Sequence, residues 1–220
     1  MVLKLHGSSL ATCTRRVAVI LHEKQVPYEL IEVNWAVGEH KSAAWKQYQP
    51  FGQIPYLDDD GFILFESRAI AKYIATKYAS SGTPLLPSKN DLQTLALIDQ
   101  GASIENNNFN PSAEGLTWEL MFKKLKGEET DPKAVENFEN TLQAKMEGFE
   151  AVLSRQKYIG GNELTYVDFL FCPYGEAITA LGYDYLTNET KYPHVAHWWK
   201  EISSRDSWQA VKDGAKGLPA

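Results

Sequence analysis

Residues 50–70 constrain the fold of this chain more than any other stretch. Pro50-Phe51-Gly52-Gln53 reads as a turn, and Ile54-Pro55-Tyr56-Leu57 as a short apolar run opened by proline. A second run, Ile63-Leu64-Phe65, ends at Glu66-Ser67, and Asp58-Asp59-Asp60-Gly61 separates the two. Asp-Gly between apolar runs is the signal of a hairpin turn. Proline has no N–H to give a ladder, so it opens strands or lies on edges, and the residue before it keeps outward-facing main-chain groups. Ile54-Pro55 is also a candidate cis peptide, because X–Pro bonds tolerate that isomer at low cost. Glu66-Ser67 stands where a helix begins, with unpaired N–H groups and partial positive charge that suit a carboxylate. Strand edge and helix start together predict a site for a small, extended, acidic peptide.

The flanking residues supply the rest of a small sheet. Residues 2–6 predict a strand, Thr14 to Lys24 a helix carrying Val17, Val19, Ile20 and Leu21, and Tyr28 to Val33 a strand covered on both faces. A short helix over 42–48 is anchored by Trp45. Strands near 54–57 and 62–65 and a helix over 66–78 follow. The order βαβαββα is an α/β unit with a mixed sheet, as in the thioredoxin-like arrangement. Ser80-Ser81-Gly82-Thr83-Pro84, then Pro87-Ser88, make a turn-rich linker, and nothing beyond it reads as a strand. Val135, Phe138, Leu142, Met146, Phe149 and Val152 recur at intervals of three or four, the stripe of a long amphipathic helix. A further helical region spans 91–122, with Leu92, Leu95 and Ile98 on one face. The chain therefore divides into an α/β domain over 1–82 and an all-α domain over 90–220.

Composition narrows the partners. A net charge of −6 argues against nucleic acid, whose phosphates call for excess Lys and Arg. Residues 1–83 carry nine Lys/Arg and eight Asp/Glu, whereas 84–220 carry thirteen and twenty, so the half with the peptide site is the less acidic. Cys13 and Cys172 are too few for a disulfide framework in 220 residues. The N-terminal residues lack a signal-peptide core, and no segment has the roughly 18 apolar residues of a membrane span. A cytoplasmic location is expected.

Gln53-Ile54-Pro55 with Glu66-Ser67-Arg68-Ala69-Ile70 resembles the glutathione-binding signature of cytosolic glutathione transferases. Pro50-Phe51-Gly52-Gln53, Leu64-Phe65 and Gly38-Glu39-His40-Lys41 resemble the phi class in particular. The likeness extends over nearly the whole chain, to Tyr192-Pro193-His194 and Trp198-Trp199. It implies the two-domain transferase fold, glutathione as cosubstrate and a homodimer. It also implies conjugation of the glutathione thiolate to small apolar electrophiles, with reduction of organic hydroperoxides alongside. By resemblance, Glu66 accepts from the γ-glutamyl amine and Ser67 donates to its carboxylate. Ile54 pairs through its backbone with the cysteinyl unit, Gln53 belongs to the same motif, and Pro55 holds the geometry. His40 and Lys41 meet the glycyl carboxylate. The competing readings are a plain helix cap for Glu66-Ser67 and a solvated loop for His40-Lys41.

The reaction centre departs from the family. Phi-class enzymes place a serine near the start of the first helix, where its hydroxyl stabilises the thiolate. Here that position is Ala11, which donates nothing. Three substitutes stay open: the hydroxyl of Thr12; Cys13, near a helix start beside Arg15 and Arg16, acting as a disulfide-exchanging nucleophile; or backbone N–H groups and the helix dipole alone. Two alternative functions follow, a ligandin-like carrier of apolar or aromatic ligands and a Cys13-dependent thiol transferase. Asn108, Phe109, Trp118, Met121 and Phe122 are candidate walls for the electrophile, or ordinary core. No metal is expected: Asp58-Asp59-Asp60 suits a solvated turn, and His194 with His197 lack a third ligand. Thr165-Tyr166-Val167-Asp168 has the spacing of a capping box, and Pro173 predicts a kink or a lost hydrogen bond in the helix that follows.

Overall fold

Leu3 and Leu5 fall on one face of an extended segment, and that segment becomes strand β1 (Leu3–Gly7). The structure, a computed structural model, describes residues 2–35, 37–87 and 91–219, so Ser88 of the linker lies outside the described residues. Helix α1 (Thr12–Glu23) follows, then strand β2 (Tyr28–Glu32), parallel to β1. A turn of 3-10 helix (Glu39–Lys41) leads to α2 (Ala43–Lys46), whose Trp45 is buried as expected. Strands β3 (Tyr56–Asp59) and β4 (Phe62–Phe65) form the hairpin, and α3 (Ser67–Lys77) ends the set. The sheet order is β2-β1-β3-β4, with β3 antiparallel to both neighbours. This is the mixed, thioredoxin-like sheet that the element order predicts.

The hairpin turns where Asp60-Gly61 requires it. Both residues have positive φ, 56° and 88°, the pair of left-handed positions that a two-residue turn of this hand needs. One face of the sheet unit is filled by Leu5, Leu57, Val17, Ile20, Ile70 and Ile74, all fully buried, with α1 packed on α3. A second cluster joins Val33, Trp45 and Tyr56 to Ile54, Ile63 and Phe65. Two boundaries differ from expectation. The strand expected over 54–57 begins at Tyr56, because Pro55 has no N–H for the ladder. Helix α1 begins at Thr12 instead of Thr14, which puts Thr12 and Cys13 in its first turn.

Contacts gather the chain into two compact units, Met1–Leu86 with Arg205–Ala220, and Pro87–Ser204. The second is helical. Helices α4 (Leu92–Ile104), α5 (Asn110–Thr117) and α6 (Lys123–Leu125) are joined by two π-helical turns, Glu105–Phe109 and Trp118–Phe122. Leu92 is 76% exposed and only Ile98 of the expected Leu92-Leu95-Ile98 face is buried, so that face is not a core stripe. In α7 (Pro132–Leu153) the stripe is as expected from Leu142 through Met146 to Phe149. Helices α8 (Tyr166–Leu170), α9 (Cys172–Ala180) and α10 (Pro193–Ser203) complete the unit. At Pro173 the chain goes further than a kink: α8 stops before it and α9 starts with the proline in its first turn, where the missing N–H costs nothing. Helix α11 (Asp206–Gln209) packs on α1, so the last residues, expected with the helical part, lie with the sheet unit. Trp208 is fully buried there, and Arg205 makes two bonds of 2.6 and 2.9 Å to Glu23.

Candidate active site

Strand register brings the predicted residues to one end of the sheet. Tyr56 pairs with Phe65 and with His6, so the next residues along each strand, Pro55, Glu66 and Gly7, converge. A Cβ on Gly7 would stand 3.2 Å from Pro55 Cβ and 2.5 Å from Thr14 Oγ1, and only a bare Cα allows that approach. The Ile54–Pro55 bond is cis. Among the described residues, no hydrogen bond reaches the N–H or carbonyl of Ile54.

Two helix starts border this free main chain. The residue ahead of α1 is Ala11 and the residue ahead of α3 is Glu66, and neither provides a side-chain cap. An uncapped helix start of this kind suits an anion. Glu66 is held at φ 71° and ψ 106°, a region a non-glycine residue occupies only under strain. Its carboxylate is exposed. Ser67 is buried, and its Oγ accepts from Arg16 Nη1 at 3.1 Å. The same Arg16 nitrogen donates to Cys13 Sγ at 3.2 Å, so one fully buried guanidinium ties the start of α1 to the start of α3. Thr12 is buried to 7% exposure, and its hydroxyl has no partner among the described residues.

His40 and Lys41 form a second group, against the turn before Ile54. Lys41 Nζ donates to the Gly52 carbonyl at 2.6 Å, and a Cβ on Gly52 would stand 3.0 Å from the His40 carbonyl. Gln53 is fixed through its backbone, its N–H to Gln49 Oε1 and its carbonyl to Trp45 Nε1, which leaves its exposed side chain unengaged. The His40 ring lies flat on Trp35, 3.9 Å between centroids. Burial first, and the Lys41 charge second, hold this imidazole below its ordinary value. Its Nδ1 is buried without a partner. Among the described residues, no group of three or more His, Cys, Asp or Glu is placed to hold a metal.

Against known families, residues 1–76 match the N-terminal domain of glutathione S-transferase and residues 109–206 match its C-terminal domain. The chain belongs to the glutathione S-transferase family. The transferase is 39% identical over 201 residues to glutathione S-transferase PM239X14 of Arabidopsis thaliana, covering 90% of each chain. The crystal structure of glutathione transferase F7 from Populus trichocarpa superposes with a TM-score of 0.87 at 35% identity, covering 96% of this chain and 97% of that one. Maize glutathione S-transferase I in complex with an atrazine–glutathione conjugate gives 0.84 at 31% identity, over 96% and 97%. Relatives of the F series are phi-class enzymes, and the class resemblance drawn from residues 38–41, 50–53 and 64–70 holds.

Sequence reasoning missed Arg16 as a site residue. The signal was present: Arg16 stands three residues after Cys13 on the face that carries Val17 and Ile20, and a charge there must find a partner. Of the expected walls, Phe109 is core, packed on Phe149 and Phe171, whereas Trp118 is 40% exposed. No described helix is long and apolar enough to cross a membrane.

Proposed function

We propose that the transferase binds glutathione extended along Ile54 and ionises its thiol at the start of α1. The single observation behind this reading is the unspent hydrogen-bonding capacity at that end of the sheet: the Ile54 main chain, the Thr12 hydroxyl and two uncapped helix starts. The γ-glutamyl amine meets the Glu66 carboxylate, and its carboxylate meets Ser67 at the start of α3. The cysteinyl unit pairs with Ile54, held by Pro55 and flanked by Gln53. The glycyl carboxylate takes the His40 imidazole and Lys41. The Thr12 hydroxyl donates to the sulfur in place of a serine at position 11, with the α1 amides beside it. Stabilising the anion releases the thiol proton to solvent, and the thiolate attacks the electrophilic carbon with displacement of its leaving group.

In this reading residues 1–82 bind glutathione and the helical domain from residue 90 carries the apolar electrophile. The protein works in the cytoplasm as a homodimer, and Phe51, 66% exposed on the sheet unit, suits a buried place between subunits. Calorimetry at neutral pH with glutathione, followed by conjugation of chlorodinitrobenzene, tests the whole. Saturable heat and turnover are expected; no heat would overturn the reading. Saturable heat without turnover would favour a ligandin-like carrier.

A second reading rests on Cys13, half-buried and with its sulfur bonded to Arg16. There the Cys13 thiolate attacks the glutathionyl sulfur of a mixed disulfide and expels the other thiol, and a second glutathione attacks that sulfur, leaving as oxidised glutathione and freeing Cys13. Activity on glutathionylated disulfides that disappears in Cys13→Ser would support it, and conjugation surviving that change would count against it.

A further inference from the structure

The loop that leads into α1 carries no cap of its own, yet it is held from two sides. Ser9 N–H donates to both oxygens of Glu32 at 3.0 Å, and Ser9 carbonyl accepts from Ala215 N–H at 2.8 Å. The second partner comes from the far end of the chain. Arg15, which follows Thr12 by three residues, donates to the Lys212 carbonyl and lies over the Trp208 ring, 5.9 Å to its centroid. Beyond Ala215, Tyr28 and Leu218 exchange backbone bonds of 2.9 and 3.0 Å, and the Tyr28 hydroxyl donates to the Lys216 carbonyl. This approach is close: a Cβ on Gly217 would stand 2.8 Å from the Tyr28 carbonyl. At the other end Arg205 and Ser207 are fastened to Glu23, the last residue of α1.

We infer that Arg205–Pro219 is a positioning element for thiolate stabilisation: it fixes Ser9 and Arg15, and through them the first turn of α1 with Thr12. This rests on the proposed role of that turn. A hydroxyl substituting for the family serine from the next residue must be aimed by the backbone, because a helix start shifted by an ångström no longer meets the sulfur. Ala11 cannot supply that aim, and the C-terminal residues do. Arg15 and the Ala215 N–H are positioning groups and do not touch the sulfur.

The test compares the full chain with one ending at Asp213, which keeps Trp208 and Lys212 but removes the Ala215 and Leu218 bonds. The expected result has three parts. Hydrogen exchange at the amides of residues 9–15 accelerates. Glutathione affinity stays within about threefold, since its end groups bind elsewhere. The pH at which bound glutathione shows thiolate absorbance rises, and kcat at pH 6.5 falls about tenfold, the weight of one oriented hydrogen bond. A folded shortened chain with unchanged exchange and unchanged thiolate titration would overturn the inference. Should that chain not fold, Arg15→Gln and Gly217→Ala decide by the same measurements, with the same expected directions and the same overturning result. Exchange needs no glutathione. Failure of the functional reading, seen as a full chain that binds none, is thereby kept separate from failure of the positioning role.

Discussion

The start of α8 and the end of the sheet unit proposed to bind glutathione treat their polar atoms in opposite ways. At α8, Thr165 and Asp168 complete a capping box, and Asp168 also accepts from Ile159 N–H and Trp198 Nε1, each at 3.0 Å. That carboxylate is fully buried and every oxygen is engaged. At α1 and α3 the caps are missing, Glu66 is strained, and the Ile54 main chain, Thr12 hydroxyl and His40 Nδ1 are left over. Satisfied polar groups hold a fold together; unsatisfied ones in a fold otherwise well paired are capacity reserved for a ligand. The contrast separates structure from site more sharply than residue type does, since both regions use Thr and an acidic residue at a helix start.

The largest expected effect breaks the satisfied side. Asp168→Ala strands the N–H groups of Ile159, Thr165 and the Trp198 indole, and should lower unfolding stability by about 4 kcal/mol in urea melts followed by tryptophan fluorescence. A loss below about 1 kcal/mol would put the two regions on the same footing. A pH experiment sharpens the point. Burial pushes the Asp168 carboxyl up to about 6, against the bonds from Thr165, Ile159 and Trp198. Its folded value exceeds the ordinary 3.8, so the unfolded chain loses its proton first. Stability from this group is present below about pH 4 and is lost as pH rises to about 6, by about 3 kcal/mol in all. Asp168→Asn should remove that slope, and a slope that persists would assign it elsewhere.

Next come changes on the unsatisfied side, where function and stability should part. Glu66→Gly relieves a backbone that glycine adopts freely, so it should stabilise the protein by about 1 kcal/mol. It also deletes the carboxylate proposed for the γ-glutamyl amine, and should weaken glutathione binding about thirtyfold by calorimetry. Loss of stability without loss of affinity would make Glu66 a structural cap. Thr12→Val removes only a hydroxyl at nearly constant volume. It should raise the pH of thiolate formation by about one unit and cut kcat near neutrality about tenfold. An unchanged titration would pass the role to the α1 amides or to Cys13.

How much was legible beforehand follows the same division. The Asp60-Gly61 turn, the box at Thr165 and Asp168, the break at Pro173 and the α7 stripe are local rules, each written in a few adjacent residues. The glutathione motif was readable because its parts lie within residues 38–70. Arg16 was harder: Cys13 is near in sequence, but Ser67 arrives only through packing of α1 on α3. The docking of residues 205–220 on the sheet unit could not be read at all. It depends on Glu23, Tyr28 and Ser9 meeting partners nearly two hundred positions away, and no local pattern encodes such pairs. The Leu92 face failed for a related reason, since an apolar periodicity states which residues share a side and not what covers it.

The smallest effect concerns His40, a buried titratable group with a spare atom. His40 is held below the ordinary imidazole value of 6.5 by burial and by Lys41, so in the folded protein it is neutral where the unfolded chain has begun to protonate. The stability it contributes is present above about pH 6.5 and is lost as pH falls through the lower folded value. Binding amplifies it: a glycyl carboxylate beside Nδ1 favours the imidazolium, so S-methylglutathione, which has no thiol proton to release, should draw a proton onto the protein near pH 6 and none at pH 8. Calorimetry with that ligand in two buffers of unlike ionisation enthalpy reads this uptake directly. His40→Gln should abolish it while keeping the fold, because the Lys41–Gly52 bond positions the loop without the ring. Equal heats in both buffers at pH 6 would show that the leftover nitrogen is a packing remnant, and that only the Ile54 main chain and the helix starts mark the site.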